Sequence, residues 1–126
     1  MDLQIYIDTS DIELERLEDI TPLIVQSISE WVGNKKQVVS LSSGVESDAE
    51  DQGDIFDKKL GIQFSVSSKF KLKDPLNFLY SLAKAHKCEC AIAILDSESG
   101  DTEEVCFFGF EEGRPDLYEI ANYLSL

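Results

Sequence analysis

Residues 90–124 read CAIAILDSESGDTEEVCFFGFEEGRPDLYEIANYL. Two apolar runs, Ala91–Leu95 and Val105–Phe110, flank an acidic connection. Runs of this length, rich in Ile, Val and Phe and bounded by Ser, Gly and Asp, are typical of two strands joined in a hairpin. Pro115 and Asp116 then favour a helix, because proline suits the first helical position and an acid suits the first turn. The stretch therefore predicts strand, acidic loop, strand and helix, with Pro115 as the first helical residue.

The N-terminal residues predict a strand followed by a helix. Asp2–Asp8 alternates between apolar and polar side chains, which is the pattern of a half-buried strand. Residues 10–19 are acidic with scattered apolar residues, a pattern that fits either a loop or a short helix. Thr21 followed by Pro22 is a helix-start signal, and apolar residues then recur at helical spacing as far as Gly33. We therefore expect a helix that begins at this Thr-Pro pair.

The middle of the chain predicts two strands separated by an acidic loop. Gln37–Leu41 is a short apolar strand, and Leu60–Lys73 alternates far enough to predict one long strand with a bulge at a serine pair. Between them, residues 42–57 read SSGVESDAEDQGDIFD, with six acids and no base. Because connections of this length are typically functional or disordered, we interpret residues 42–57 as a mobile acidic loop.

A second helix-start signal, Asp74-Pro75, precedes a buried face made by leucines at helical spacing. The predicted order is then strand, helix, strand, strand, helix, strand, strand, helix, in a single domain over residues 1–126. The first six elements have the order of the split β-α-β arrangement of ferredoxin-like folds. We predict an α/β (α+β) fold of this kind with an added strand and a C-terminal helix. Right-handed crossovers would place both crossover helices on one face of a mixed sheet.

The net charge of the chain limits the kinds of molecule that it is expected to bind. The 126 residues include 25 acids and 11 bases, for a formal net charge of −14. Such a chain is repelled by phosphate backbones and anionic lipids, which disfavours direct nucleic-acid or membrane binding and favours a basic protein partner or nucleic-acid mimicry. General solubility is the alternative explanation of the acidity. Three cysteines, an odd number, and the lack of a basic leader or long apolar stretch predict a cytoplasmic protein with reduced thiols.

Metal sites were considered at the cysteines and in the acidic loops. His86, Cys88 and Cys90 are each separated by one residue, whereas structural zinc sites usually separate paired ligands by two to four. A calcium loop that begins at Asp48 would need a glutamate at its twelfth position, where Lys59 stands. We therefore expect Cys88, Cys90 and Cys106 to be reduced, metal-free and mostly buried, with no metal site and no cofactor in the protein.

The sequence also predicts that the protein is not an enzyme. It contains no Gly-x-Ser-x-Gly motif, P-loop or dinucleotide fingerprint. Adjacent acids such as Glu103 and Glu104 point to opposite faces of a strand, so they do not form a catalytic pair.

A small, strongly acidic α/β chain with few cysteines and no catalytic set resembles the immunity proteins of bacterial toxin systems, including those of contact-dependent growth inhibition. The sequence FFGFEEGRPDLYEIANYL, residues 107–124, is similar to the C-terminal sequences of some of these proteins. The resemblance implies tight binding of a cognate toxin, often a nuclease, whose active site or substrate surface is blocked. A small-ligand-binding regulatory domain is the alternative function.

A basic partner would be contacted through the acidic loops. Complementary charge would mainly speed association and select the partner, while apolar and aromatic anchors would supply much of the affinity. Two groups of acids are candidates, and the sequence does not choose between them. They are Glu46, Asp48, Glu50, Asp51 and Asp54 in the first loop, and Glu98, Asp101, Glu111 and Glu112 near the hairpin and the final helix.

Overall fold

The computed structural model of the chain describes residues 1–10, 12–33, 35, 38–41, 60–96 and 98–126. Within these ranges it contains five strands and three α-helices, which confirms the predicted α/β class. The strands are β1 Asp2–Asp8, β2 Val38–Ser40, β3 Gly61–Ser65, β4 Glu89–Leu95 and β5 Thr102–Gly109. The α-helices are α1 Leu14–Val32, α2 Lys73–His86 and α3 Leu117–Tyr123, and a short 3₁₀ helix, Lys69–Leu72, leads into α2.

The strands form one open sheet in the order β2-β3-β1-β4-β5. Every neighbouring pair of these described strands is antiparallel, so the prediction of a mixed sheet was wrong. Each helical crossover does bring the chain back in the parallel direction. It places the new strand two positions away in the sheet, however, and the strand between them is antiparallel to both. The first strand of the chain therefore lies at the centre of the sheet, paired with β3 on one side and β4 on the other.

The core lies between one face of the sheet and the helices. Leu3, Ile5 and Ile7 of β1 point to this face and are at most 2% exposed. Side chains from all three α-helices join them in one cluster. The helical members of that cluster are Leu17, Ile20, Ile24 and Ile28 of α1, Leu76, Leu79, Leu82 and Ala83 of α2, and Ile120 and Ala121 of α3.

Helix α1 begins at Leu14, so the prediction that Thr21-Pro22 starts this helix was wrong. Pro22 lies inside the helix and donates no backbone hydrogen bond, which costs about 3 kcal/mol in a helix interior. The two buried residues before it, Leu17 and Ile20, each contribute about 1.5–3 kcal/mol by their burial. The free energy gained by burying the first two turns therefore offsets the cost of Pro22 in the helix.

Strand β3 ends at Ser65, and the prediction of one long strand over Leu60–Lys73 was wrong. The strand was predicted to continue beyond Ser65 because Phe70 and Leu72 extend the apolar alternation. These two residues belong to the 3₁₀ helix. In a strand these two side chains would share one face. In the structure Leu72 is fully buried, whereas Phe70 is 73% exposed.

Helix α3 is capped by Asp116, whose carboxylate accepts hydrogen bonds from the backbone N–H groups of Tyr118 at 3.0 Å and Glu119 at 3.1 Å. Pro115 therefore lies before the cap, and its prediction as the first helical residue was wrong. The helix begins after Asp116 because the aspartate side chain accepts hydrogen bonds from N–H groups that the first helical turn leaves without a partner.

Candidate functional site

The predicted acidic contacts fall into three groups. The five acids of the first loop, Glu46, Asp48, Glu50, Asp51 and Asp54, lie outside the described residues, as does the whole predicted loop 42–57. Glu98 and Asp101 are exposed in the turn between β4 and β5, and Glu111 and Glu112 are exposed in the turn after β5. These two pairs flank the eight-residue strand β5, which spans roughly 26 Å. The structure therefore places them on separate surfaces.

The turn between β4 and β5 is ordered by Asp96. Its carboxylate accepts hydrogen bonds from the backbone N–H groups of Glu98 at 2.9 Å and Ser99 at 3.5 Å. These backbone hydrogen bonds hold the pKa of Asp96 below its ordinary value. The backbone N–H of Asp96 also donates to the carbonyl oxygen of Asp101 at 2.8 Å. Glu98 and Asp101 are thus presented on a hydrogen-bonded turn.

The turn after β5 is held by Glu89, a residue that the sequence did not single out. The two carboxylate oxygens of Glu89 accept hydrogen bonds from the backbone N–H groups of Glu111 at 2.8 Å and Glu112 at 3.0 Å. Glu89 pairs in register with Gly109, and a Cβ atom at Gly109 would lie 2.8 Å from one of these oxygens. Glycine at this position therefore leaves the space through which the glutamate reaches the turn.

Four described carboxylates gather at this end of the sheet: Asp8, Glu89, Glu111 and Glu112. We call them the acidic end. Asp8 and Glu89 face each other in the pairing of β1 with β4, so they belong to the same row of the sheet. The carboxylate of Asp8 accepts hydrogen bonds from the backbone N–H of Ser10 at 3.1 Å and from its hydroxyl at 2.7 Å. Two of the four carboxylates are therefore fixed by local hydrogen bonds.

The acidic end is also where the long connection between β2 and β3 joins the sheet. Leu41, the last described residue before the connection, donates its backbone N–H to the carbonyl oxygen of Gly61 at 2.9 Å. Leu60, the first described residue after it, accepts a hydrogen bond from the backbone N–H of Ile7 at 2.9 Å. Both attachment points therefore lie at the same end of the sheet as Asp8.

Exposed aromatic side chains accompany these acids along β5, which is an edge strand of the sheet. Phe107 is 50% exposed and Phe110 is 47% exposed. Phe110 is fixed by its backbone N–H, which donates to the carbonyl oxygen of Cys88 at 2.9 Å. Large apolar side chains surrounded by polar groups are typical of protein-binding surfaces. Phe110 directly precedes Glu111 and Glu112, so it supplies an apolar group next to the acidic end.

The face of the sheet opposite the core is crossed by a hydrogen bond between Tyr6 and Glu104. The Tyr6 hydroxyl donates to the Glu104 carboxylate at 2.5 Å. Burial raises the pKa of Tyr6 above its ordinary value, and the hydrogen bond from the phenol to Glu104 raises it further. Ala91 and Ala93 are fully buried beside Tyr6 and form a small second cluster with it. This contact joins residues 98 positions apart, and no local pattern in the sequence indicates it.

The raised pKa of Tyr6 predicts an alkaline loss of stability. In the unfolded chain the phenol ionises from about its ordinary pKa of 10.0, while the folded protein keeps the proton to a higher pH. The free energy of unfolding contributed by Tyr6 is therefore complete below pH 10 and falls as the pH rises above it. We expect Tyr6→Phe to be less stable than the wild type by about 1 kcal/mol at pH 8 and to lose less stability between pH 10 and 11.

Urea unfolding of both proteins across this pH range measures the effect, with the exposed Tyr118→Phe as a matched control. Thiols of the unfolded chain ionise at high pH while burial raises the pKa of Cys88 and Cys90 in the folded protein, which also lowers the wild-type stability. The difference between Tyr6→Phe and the wild type, rather than the wild-type slope alone, therefore isolates the phenol. Equal slopes for the two proteins would contradict the prediction.

The three thiols are not activated as nucleophiles by their surroundings. Cys88 and Cys90 are buried, and burial raises the pKa of both thiols. Cys106 lines a cleft of about 390 Å³ between β5 and α3, where burial, and then the charge of Glu119, raises its pKa. A raised pKa keeps a thiol protonated at neutral pH and therefore weakens it as a nucleophile or metal ligand.

The described ranges contain no group of three or more His, Cys, Asp and Glu side chains placed to hold a metal ion. None of the helices in these ranges combines the length and the apolar character needed to cross a bilayer.

No protein-family model matches the chain, and comparisons with curated proteins and with solved structures find no significant match.

Proposed function

We propose that this protein is a non-enzymatic cytoplasmic inhibitor that binds a positively charged protein, and that its partner is a cognate bacterial toxin. This is the function implied by the resemblance to immunity proteins. The observation that carries the proposal is the arrangement at the acidic end, where Glu89 fixes the turn that presents Glu111 and Glu112 beside the exposed ring of Phe110.

This arrangement suits a preformed binding surface. A turn already fixed by two hydrogen bonds loses less conformational freedom on binding than a free loop does. The carboxylates would attract a basic partner and increase its association rate, while Phe110 would enter an apolar pocket and contribute affinity. If the toxin is a nuclease, its phosphate-binding surface is basic, and carboxylates at the acidic end would occupy the positions of phosphates.

The acidic end is favoured over the hairpin turn for one topological reason. The stretch that contains the five candidate acids of the first loop is attached to the sheet through Leu41 and Leu60, at the same end as Glu111 and Glu112. The described residues on either side of that stretch and the turn that carries Glu111 and Glu112 therefore lie at one end of the sheet. Glu98 and Asp101 lie at the other end of β5 and provide an internal comparison.

The test is binding and protection against the toxin domain encoded beside the gene for this protein. We expect the wild type to bind that domain and to prevent its growth inhibition on co-expression. Glu111→Gln with Glu112→Gln should reduce the association rate by about tenfold at low salt, because charge complementarity acts mainly on this rate. Glu98→Gln with Asp101→Asn removes the same charge from the hairpin turn and should leave the rate near the wild-type value.

The outcomes test the proposed inhibitor function and the proposed binding surface separately. Absence of binding and protection by the wild type would overturn the proposed function. Binding that is weakened by the hairpin variant, and not by the Glu111 and Glu112 variant, would retain the function and reject the acidic end. A third variant with Glu46, Asp48, Glu50, Asp51 and Asp54 changed to amides measures the contribution of the first loop.

We also propose that the first six elements have the ferredoxin-like split β-α-β arrangement. The support is the strand order β2-β3-β1-β4, in which each strand–helix–strand unit is split by a strand of the other unit. Strand β5 and helix α3 would then be additions at the β4 edge.

A further inference from the structure

A cavity of about 340 Å³ lies between the end of α1, the strands β2 and β3, and the start of α2. It is at the opposite end of the sheet from the acidic end, because its lining includes Val38 and Phe64, which pair with each other near Leu3 at the beginning of β1. This volume is within the range of pockets that bind small molecules. The cavity is therefore separate from the surface assigned above to a protein partner.

The apolar part of the cavity is rigid. Trp31 stacks on Phe78 with ring centroids 4.5 Å apart and an angle of 4° between the ring planes, which fixes the orientation of the indole. Val38 and Phe64 supply further apolar lining, and Phe70, which is largely exposed, stands at the rim. Phe78 covers one face of the indole and the Lys35 ammonium lies over the ring, so the apolar surface left to a ligand is the edge of Trp31 together with Val38, Phe64 and Phe70.

The charged part of the cavity is predominantly positive. Lys35 places its ammonium group 4.4 Å from the centroid of the Trp31 ring and donates a hydrogen bond to the Trp31 carbonyl oxygen at 2.7 Å. Lys71 is also among the lining residues, and Asp74 is the one acid among the described residues of the lining. Two ammonium groups beside one carboxylate form a positive site in a chain whose net charge is −14.

We propose that this cavity binds a small carboxylate with an apolar body. The apolar body would lie against Val38, Phe64 and Phe70 beside the edge of Trp31, and the carboxylate would pair with the ammonium groups of Lys35 and Lys71. This binding site is independent of the proposed toxin inhibition, and neither proposal requires the other.

The chain offers a direct probe, because Trp31 is its one tryptophan. Titration of the full chain with phenylacetate should change the tryptophan emission in a saturable way. Phenylacetamide has the same ring without the charge, and acetate has the charge without the ring, so both should bind at least about tenfold more weakly. Equal binding of phenylacetate and phenylacetamide, or of phenylacetate and acetate, would overturn the assigned ligand class.

Variants test the two lysines. Lys71→Gln and Lys35→Gln should each weaken phenylacetate binding by roughly tenfold, since each removes a charged partner of the carboxylate. Lys84→Gln removes a lysine from the other end of α2 and should bind like the wild type. Because Lys35 lies over the indole, its variant is measured by calorimetry as well as by fluorescence.

Folding of each variant is checked by urea unfolding before binding is compared. Lysine variants that bind as tightly as the wild type would overturn the proposal. The absence of saturable binding by the folded wild type at millimolar phenylacetate would do the same.

Discussion

Replacement of Gly61 by alanine should destabilise the protein by about 3 kcal/mol or more, which corresponds to a fall in Tm of roughly 10 °C. A Cβ atom at this position would lie 2.1 Å from the carbonyl oxygen of Ile5 and 2.5 Å from the Cα atom of Tyr6. These are backbone atoms of the central strand, and they cannot rotate away as the end of a flexible side chain can. Strands β1 and β3 would have to separate where Gly61 pairs with Tyr6.

The matched control is Gly100→Ala, in the turn between β4 and β5. Gly100 has a φ of 79°, and a Cβ atom there would have no neighbour within 4 Å. This substitution meets only the backbone strain of an L-residue at positive φ, about 1 kcal/mol. Thermal and urea unfolding of the three proteins give the comparison. A Gly61 variant no less stable than the Gly100 variant would show that the two strands accommodate the methyl group.

Glu89→Ala should have the second large effect, because it releases the turn after β5. The substitution removes both acceptors of the Glu111 and Glu112 N–H groups, and we expect a loss of about 1–3 kcal/mol. The expected loss of stability lies in the lower half of this range, because the turn is exposed and water can accept hydrogen bonds from the released N–H groups. Hydrogen exchange at the amides of Glu111 and Glu112 measures the effect locally, and both should exchange faster than in the wild type.

Two variants separate the hydrogen bonds of Glu89 from its charge. Glu89→Gln keeps one acceptor oxygen and should retain slow exchange at one of the two amides. Glu103→Ala removes a carboxylate from an exposed position on β5 and should leave both amides unchanged. Unchanged exchange in Glu89→Ala would show that the turn holds its shape without this glutamate, and would remove the main support for a preformed acidic end.

The order of the elements could be predicted from the sequence because each element carries its own periodicity. Asp2–Asp8 alternates and forms β1, and the leucine spacing after Asp74-Pro75 identifies the buried face of α2. The predictions that were wrong relied on local sequence signals, which tertiary packing overrides in the folded protein. Pro22 was interpreted as a helix start, although the residues before it are buried on the same helix face. Phe70 followed the alternation of β3 and is nevertheless exposed on a 3₁₀ turn.

The site could be predicted only in part, for a related reason. The acids in the turns are visible in the sequence because they cluster. Glu89 is a lone acid at the beginning of an apolar strand, and its role depends on the register that places it opposite Gly109. The bond between Tyr6 and Glu104 likewise depends on strand order, since β4 must lie between the two strands that carry them. Neither arrangement has a local signature.

The central position of the first strand has a consequence for how the protein is made. Leu3, Ile5 and Ile7 leave the ribosome before the other strands of this sheet, but β4, one of the two strands that pair with β1, begins only at Glu89. At a synthesis rate of about 5–20 residues per second, β1 waits roughly 4–16 s for this neighbour. Its apolar side chains and unpaired backbone groups are accessible to chaperones and to other nascent chains during that time. The native pairing of β1 is therefore completed only after β4 has been made, rather than strand by strand as synthesis proceeds.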